Sequence, residues 1–317
     1  MKVLKFSAAA VTAIVLSGSV YQQVGQARDR AALTPPGRLV SIGPGRMHLH
    51  CVGHGQPTVV LEAGATGFAQ TWAWVQRDLA VDGRVCSYDR SGLGWSDVVS
   101  DWQDGEAAAR NLHELLARAG ETGPFVMAGH SLGGPLAQIY AATYPQDVVG
   151  IALIDPSHPD QLDHFPSAAR EQQEEFYALL RVASLASHIG LTRLTNIIGQ
   201  HAAGLPAQDY RAARMFGSSP AHLSESRDEL LLWNQTMSAV RRAMAVAPKP
   251  TVVVSAGRTM DGMPEAFLPI VHELHREIAS RHSNAHHIVI EEADHFSLLM
   301  KEDHADQVAE AIRRLRG

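Results

Sequence analysis

The sequence has 317 residues, enough for one large α/β domain with an insertion or for two domains. Hydrophobic residues make up 45% and charged residues 19%, which is typical of a globular protein and excludes a largely disordered chain. The formal net charge of −6 and the lack of a long basic run argue against nucleic acid as a partner.

The first 27 residues predict a secretory signal or an N-terminal anchor. Lys2 and Lys5 precede an uncharged, mostly apolar stretch that runs from Phe6 to Val20. Residues 25–27 (GQA) have the small-x-small spacing of a cleavage site. The apolar stretch is short for a membrane span, which takes about 20 residues. We therefore expect an exported protein, periplasmic or secreted. The sequence leaves open whether the signal is cleaved or retained as an inner-membrane anchor.

Strands and helices alternate from residue 37 onward, after a Pro-containing linker predicted at residues 28–36. The runs RLVSIG and MHLHCVG predict a hairpin, and PTVVLEAG, RVCSYDRSG, PFVMAGHS and VVGIALIDP predict further strands. Two more strands, PTVVVSAG and HHIVIEEADH, come late in the chain, which ends in an amphipathic helix. This alternation predicts a mostly parallel central sheet with helices on both faces.

Residues 157–247 interrupt the alternation between two sheet strands. The interruption is too long for a simple loop, and its stretches EEFYALLRVASLASHIG and RDELLLWNQTMSAVRRAM have helical periodicity. We predict a helical cap over the carboxyl edge of the sheet, where such sheets bind their ligands. The cap divides the core into residues 37–156 and 248–317.

The stretch AGHSLGG, residues 128–134, indicates a nucleophile elbow. Ser131 lies between Gly129 and Gly133, where larger side chains would collide across a tight strand-to-helix turn. A lone G-x-S-x-G occurs often by chance, and the alternative is an ordinary Gly-rich turn. Here the motif follows an apolar strand and opens an apolar-faced helix, which favours Ser131 as a nucleophile.

A nucleophilic serine needs a base, and an imidazole suits that role at neutral pH. Among 17 histidines, His295 has the expected setting, because it follows the last apolar strand and completes the order Ser, acid, His. The group His282, His286 and His287 lacks a second ligand set, so we predict no metal site. No motif in the sequence indicates a cofactor.

The chain resembles the α/β-hydrolase superfamily, and in particular bacterial hydrolases with an N-terminal signal or anchor and a cap. The resemblance lies in VVLEAGATG, YDRSGLGWSD, AGHSLGG, ALIDPSHPD and EADHF, and it covers residues of about 37–156 and 248–317. The matching motifs indicate the fold and the nucleophile specifically, but they say little about the substrate. It implies an α/β-hydrolase fold, a mostly parallel sheet flanked by helices with an inserted helical cap.

The resemblance also implies an oxyanion hole. One donor would be the backbone N–H of Leu132, which follows the nucleophile, and the other the N–H of Ala65, after VVLEAG. Loss of one such donor typically lowers the rate by about 10²–10³-fold.

The turn beside Ala65 departs from the family pattern, since many relatives have His-Gly where this chain has Glu62-Ala63-Gly64. A carboxylate near an oxyanion site would repel the developing charge unless it is paired. We expect Glu62 to form an ion pair with Arg90 of YDRSG. The alternative is that Arg90 pairs with Asp89 or Asp97.

Two aspartates are candidates for the acid of the triad, because family members place this residue after one of two strands. Asp155 ends the apolar strand GIALI at the carboxyl edge of the sheet. Asp261 follows the strand that ends at Gly257, one residue later than the common spacing. We favour Asp155 and keep Asp261 as the alternative.

The sequence has two cysteines, Cys51 in MHLHCVG and Cys86 in RVCSYD. In the fold that the resemblance implies, these two strands are neighbours. A disulfide is therefore compatible with an exported protein, and two buried free thiols are the alternative.

A serine at the elbow disfavours the dehalogenase and epoxide hydrolase reactions, because the family members that catalyse them need a carboxylate at that position. The favoured function is hydrolysis of an ester or related acyl bond of a small, apolar molecule, through an acyl-enzyme. One alternative is an aminopeptidase of the proline iminopeptidase type, which would need acidic cap residues such as Glu174, Glu175 or Asp228 to bind an amine. The other is a binding protein of the same fold without catalytic activity. The sequence does not indicate an oligomeric state.

Overall fold

A central sheet organises the chain in the computed structural model, which describes residues 8–99, 103–246, 249–260, 262–282 and 284–316. Within these residues the sheet has eight strands, in the spatial order 1-2-4-3-5-6-7-8. The strands are β1 (Arg38–Ile42), β2 (Gly45–Val52), β3 (Thr58–Glu62), β4 (Val85–Tyr88), β5 (Phe125–His130), β6 (Val148–Ile154), β7 (Thr251–Ala256) and β8 (Ala285–Ile290). The predicted fold class, a mostly parallel α/β-hydrolase sheet, is confirmed.

The strands are antiparallel at one edge of the sheet and parallel across the rest. β1 and β2 form the predicted antiparallel hairpin, and β2 also pairs antiparallel with β4. The six strands from β3 to β8 pair in parallel. Every residue of β3, β5 and β7 is buried, because helices cover both faces of the sheet.

The helices that cover the sheet pack as two layers. On one face, α3 (Gly105–Ala119), α4 (Gly133–Thr143) and α11 (Leu268–Ser280) contribute to one apolar core. On the other face, α2 (Ala73–Leu79), α12 (Ser297–Met300) and α13 (Glu302–Arg313) contribute to a second core. Short 3₁₀ turns precede α2 and α11.

The segment 157–247, which we call the cap segment, lies between β6 and β7 and is helical, as the periodicity predicts. It carries a 3₁₀ turn at Gly199–Ala202 and contacts the loops at the carboxyl ends of the strands. Its helices are α5 (Gln161–His164), α6 (Ser167–Ser187), α7 (Leu191–Thr195), α8 (Ala207–Phe216), α9 (Pro220–Leu231) and α10 (Trp233–Ala243).

The N-terminal helix α1 spans Ala8–Ala32, and the first strand begins at Arg38. The helix therefore continues into residues 28–32, which the sequence analysis assigned to a linker. These residues are Arg, Asp and Ala, which a helix accommodates, whereas Pro35 and Pro36 prevent it from continuing. Among the described residues, no helix combines the length and the apolar character that a membrane crossing needs.

A disulfide joins Cys51 of β2 to Cys86 of β4. The two residues lie directly opposite each other in the antiparallel pair, with their Cα atoms 4.0 Å apart. The sequence leaves open a disulfide or two free thiols, and the structure has the disulfide.

Candidate active site

Ser131 lies in the turn between β5 and α4 and has a positive φ of 54°. A Cβ atom on Gly129 would lie 2.1 Å from the carbonyl oxygen of Gly133. A Cβ atom on Gly133 would lie 2.3 Å from the carbonyl oxygen of Glu62. Both contacts are too close for any side chain, so the turn requires glycine at these two positions, as the elbow motif predicts.

His295 lies in the loop after β8, and its ring meets the carboxylate of Asp155 after β6. The distance between His295 Nδ1 and Asp155 Oδ2 is 2.6 Å. A carboxylate is an acceptor only, so Nδ1 donates the proton of this hydrogen bond, which leaves Nε2 as the nitrogen that can exchange a proton with a substrate or a serine. The structure thus brings together two of the residues that the sequence analysis selected from distant parts of the chain.

The environment of Asp155 favours its ionised form. Its Oδ1 accepts a hydrogen bond from the backbone N–H of Ala256 at 2.9 Å, and His275 Nδ1 lies 3.9 Å from the same oxygen. Burial raises the pKa of Asp155, but the hydrogen bond and charge of His295 outweigh it and hold the pKa well below its ordinary value. Asp261, the alternative acid, lies outside the described residues.

His130, the residue before Ser131, supports the loop that carries His295. Its Nε2 lies 2.9 Å from the backbone carbonyl oxygen of His295, and the two ring centroids are 4.5 Å apart. Burial lowers the pKa of His130 to about 3, so the ring is neutral and donates this hydrogen bond from Nε2. The sequence alone gives no sign of this role, because the x position of G-x-S-x-G accepts many residues.

The loop after β3 packs directly against the elbow. A Cβ atom on Gly64 would lie 3.1 Å from Ser131 Cβ. Of the four described non-glycine residues with positive φ, three are Thr66 of this loop, Ser131 and Asp155. Backbone strain of this kind persists where the surrounding structure imposes it, and it clusters at functional sites.

The predicted ion pair between Glu62 and Arg90 is present. Arg90 Nη1 lies 2.7 Å from Glu62 Oε1, and both side chains are buried. The same guanidinium donates to the carbonyl oxygens of Ala63 at 2.6 Å and Gly64 at 2.8 Å. Because a trans peptide holds its C=O and N–H on opposite sides, the N–H of Ala65 points away from Arg90.

Two further residues complete this buried cluster. Glu229 of α9 binds Arg90 through both carboxylate oxygens, and Tyr88 donates a hydrogen bond to Glu62. Burial raises the pKa of Glu62, against the lowering effect of Arg90. The sequence analysis missed Glu229 and Tyr88. The cap segment has no motif that would single out Glu229, and Tyr88 is an ordinary residue for a strand.

The alternative partners of Arg90 are engaged elsewhere. Asp89 accepts hydrogen bonds from the backbone N–H groups of Ala69 at 2.5 Å and Trp95 at 2.8 Å. Asp97 forms an ion pair with Arg46 at 3.0 Å. These contacts fix the conformation of the loop after β4. Arg90 does not pair with either aspartate and instead connects the loop after β3 to the cap segment.

His222 of α9 makes a second connection between the cap segment and the core. Its Nδ1 accepts a hydrogen bond from the N–H of Gly94 at 3.0 Å, and its Nε2 donates to the carbonyl oxygen of Thr66 at 3.1 Å. Burial lowers the pKa of His222 to about 4, and the neutral ring supplies one donor and one acceptor. This residue was also missed, since one histidine among 17 carries no distinguishing signal.

Apolar residues of the cap segment pack against the residue that follows Ser131. Leu132 and Leu136 share one buried cluster with side chains of three cap helices, and Ala65 packs against it. The cap members are Leu180, Ala183, Leu223, Leu230, Trp233 and Met237. The site therefore combines a polar elbow with apolar walls.

The model of the family described as "Alpha/beta hydrolase family" matches residues 49–311 of the chain. The chain belongs to this family. The match includes the elbow, the loops after β3 and β4, both predicted triad partners and the whole cap segment.

Curated relatives add little about the reaction. An uncharacterised protein of Schizosaccharomyces pombe is 28% identical over 265 residues, which is 72% of this chain and 47% of that protein. The chain spans about half the length of the first curated relatives it matches.

Solved structures show the same fold at low identity. A thermophilic esterase from Thermogutta terrifontis has a TM-score of 0.63 at 19% identity, covering 88% of this chain and 97% of the esterase. Cfl2 from Burkholderia cenocepacia has a TM-score of 0.69 at 20% identity, covering 88% of this chain and 95% of Cfl2. The α/β-hydrolase fold is thereby shown, and its neighbours include an esterase.

Proposed function

We propose that this hydrolase-family protein is a serine hydrolase that cleaves an ester, or a related acyl bond, of a small apolar substrate. The hydrogen bond between His295 Nδ1 and Asp155 Oδ2, at 2.6 Å, carries the proposal. A largely buried carboxylate that fixes the tautomer of a histidine is part of the arrangement that acyl transfer uses, and the serine held at positive φ directly follows His130, which contacts the His295 backbone.

The first step forms an acyl-enzyme. Ser131 Oγ attacks the acyl carbon while Nε2 of His295 takes the hydroxyl proton. Asp155 stabilises the imidazolium that results and stays ionised itself. The tetrahedral intermediate then collapses, His295 returns the proton to the leaving alcohol, and the acyl group remains on Ser131.

The second step releases the acid. A water molecule gives its proton to Nε2 of His295 and attacks the acyl carbon, and the second tetrahedral intermediate expels Ser131 Oγ, which recovers the proton. The same two residues therefore serve both half-reactions. No further group is needed to balance them.

The negative oxygen of each intermediate would be stabilised by the backbone N–H groups of Leu132 and Ala65. Leu132 precedes the first turn of α4, whose N-terminal end carries a partial positive charge. Arg90 supports the second donor, because its hydrogen bonds to Ala63 O and Gly64 O direct the Ala65 N–H away from the guanidinium. The ion pair neutralises Glu62, the acidic residue that departs from the family pattern.

Two observations support an apolar ester as the substrate. Leucine, tryptophan and methionine side chains of the cap segment form the cluster around Leu132. The acidic residues that an aminopeptidase would use are otherwise engaged or lie in solvent, since Asp228 pairs with Arg227 and both Glu174 and Glu175 are exposed.

Hydrolysis of p-nitrophenyl esters of rising acyl length, with a prolyl anilide in parallel, tests the proposal. We expect turnover of the esters, with kcat/KM rising with acyl length, and no turnover of the anilide. Turnover of the anilide alone would instead indicate the aminopeptidase. A protein that hydrolyses neither and does not react with a fluorophosphonate would be the non-catalytic binding protein.

A further inference from the structure

Helix α1 is fixed to the cap segment by polar contacts around the buried Gln22. Gln22 is 2% exposed, and its amide donates a hydrogen bond to the carbonyl oxygen of Ser218 at 2.7 Å. Arg193, between α6 and α8, binds the other end of the Gln22 amide at 3.0 Å and forms an ion pair with Asp29 at 2.6 Å. The Gln22 amide is thus hydrogen-bonded at both ends, which indicates a built interface, since a polar group buried without a partner is costly.

Small residues let α1 approach the cap segment closely. A Cβ atom on Gly18 would lie 2.5 Å from the carbonyl oxygen of Ile189, and one on Gly25 would lie 2.5 Å from the guanidinium nitrogen Nε of Arg193. Gly18, Gln22, Gly25 and Asp29 are spaced i, i+4, i+7 and i+11, so they form one face of the helix. Cleavage after residue 27 would remove three of these four residues from the protein.

The N-terminal half of α1 extends beyond this contact and is exposed. Every residue from Val11 to Ser17 is exposed, and most of them are apolar. The neighbouring helices α6 and α7 also expose large apolar side chains, including Leu185 at 71% and Leu194 at 74%. We call this set the docking face: Val11, Ile14, Val15, Leu16, Val20, Val182, Leu185, Leu191 and Leu194.

In the sequence, the N-terminal segment that includes α1 carries more basic than acidic residues. In the first 30 residues the sequence has Lys2, Lys5, Arg28 and Arg30, and its one acidic residue, Asp29, is paired with Arg193. The exposed Arg181 directly precedes Val182 on α6. Exposed apolar side chains flanked by Lys and Arg are the combination that binds an anionic lipid surface.

We infer that α1 is retained in the working protein and that the docking face binds the surface of an anionic lipid bilayer. The cap segment takes part in this contact through α6 and α7, so the membrane association is not confined to the N-terminal helix. The same cap segment holds Glu229 and His222 against the candidate active site. Docking therefore places the cap, and the site beneath it, next to the lipid.

Vesicle co-sedimentation of the full chain tests the inference. The vesicles contain phosphatidylcholine with or without phosphatidylglycerol, at low and high salt. We expect binding to the anionic vesicles that weakens at high salt, and a decrease in bound fraction of roughly tenfold for the double variant Leu185→Ser/Leu194→Ser. Intact-mass measurement of the bound protein should find residues 8–32 still present.

A matched control removes apolar surface elsewhere. Val81 follows α2 and is 82% exposed, and Val149 lies at the amino end of β6 and is 40% exposed. The double variant Val81→Ser/Val149→Ser should bind vesicles as the wild type does, and both double variants should retain the wild-type circular dichroism and melting temperature.

Three results would overturn the inference. If Leu185→Ser/Leu194→Ser bound vesicles as tightly as the wild type, the membrane contact would be confined to the N-terminus. A protein that lacks residues 8–27 when recovered from membranes would show that α1 is removed. A dimer in light scattering that Leu185→Ser/Leu194→Ser dissociates, without vesicle binding, would show that a second copy covers this face.

Discussion

Asp155 and His295 are 140 positions apart in the chain and lie in hydrogen-bond contact, with Asp155 Oδ2 2.6 Å from His295 Nδ1. The contact arises because β6 and β8 both have β7 as a neighbour and both end at the carboxyl edge of the sheet. Asp155 is held there at a positive φ of 43°. This pair is the part of the candidate site that orients the proposed base.

Asp155→Asn should lower kcat by about 10³–10⁴-fold and change KM little, because an amide no longer holds the tautomer with Nε2 unprotonated. Asp261→Asn is the matched variant, and its kcat should stay within about threefold of the wild type. Ester hydrolysis measured by stopped-flow or steady-state absorbance compares the two. The opposite ranking of the two variants would assign the acid role to Asp261.

Arg90→Lys should lower kcat by about 10²-fold, since a lysine cannot bind Ala63 O, Gly64 O and Glu62 together and the Ala65 N–H loses its orientation. Glu229→Gln is the control, because it weakens the tie to the cap segment but leaves the hydrogen bonds from Arg90 to the loop after β3. Its kcat should fall by less than about fivefold. Equal effects of the two variants on kcat would show that Arg90 acts through the cap and not through the oxyanion loop.

His275 should make the protein sensitive to acid. Its Nε2 donates to the carbonyl oxygen of Pro156 at 2.9 Å and its Nδ1 accepts from Ser255 at 2.6 Å, and burial lowers its pKa from 6.5 to about 4. The unfolded chain therefore binds a proton that the folded chain does not, and stability that is present above pH 6.5 is lost as the pH falls toward 4.

Urea unfolding from pH 7 to pH 4 measures this loss. In His275→Gln, the free energy of unfolding should fall less steeply in this window, by up to about 1.4 kcal/mol per pH unit. The glutamine amide can still donate to Pro156 O, so the variant should fold. An unchanged slope in the variant would show that His275 takes up its proton in the folded state as well.

Removing the disulfide should destabilise the protein without abolishing activity. The bridge closes a loop of 35 positions between neighbouring strands, so Cys51→Ala/Cys86→Ala should lower the free energy of unfolding by about 3–4 kcal/mol. Urea unfolding under non-reducing conditions measures the change, with kcat as the control for the site. Two titratable thiols in the freshly purified wild type would contradict the bridge.

The sequence predicts much of the framework because its signals are local. Apolar runs ended by Gly or Pro mark the strands, and the G-x-S-x-G spacing marks the elbow through a steric demand that acts within five residues. The strand and elbow inferences need only the residues near each motif. The Glu62–Arg90 pair was also predictable, but it required the oxyanion turn and the neighbouring strands that the resemblance to the α/β-hydrolase superfamily implies.

The contacts across the cap segment could not be predicted, because they depend on how that segment sits on the core. Glu229 and His222 lie on one cap helix with no motif around them, and only the fold brings them to Arg90 and Thr66. Residues 28–32 belong to α1 and not to the predicted linker for a similar reason, since Asp29 pairs with Arg193, which lies far along the chain.

The reaction of Ser131 with a fluorophosphonate probe is the direct test of a serine nucleophile that His295 activates. Peptide mass spectrometry of the labelled protein should locate one adduct per chain, on Ser131. Labelling should be absent in Ser131→Ala and slower by at least about 10²-fold in His295→Gln, since the hydroxyl is activated only by the imidazole. An adduct on another residue, or wild-type labelling rates in His295→Gln, would show that Ser131 is not a nucleophile activated by His295.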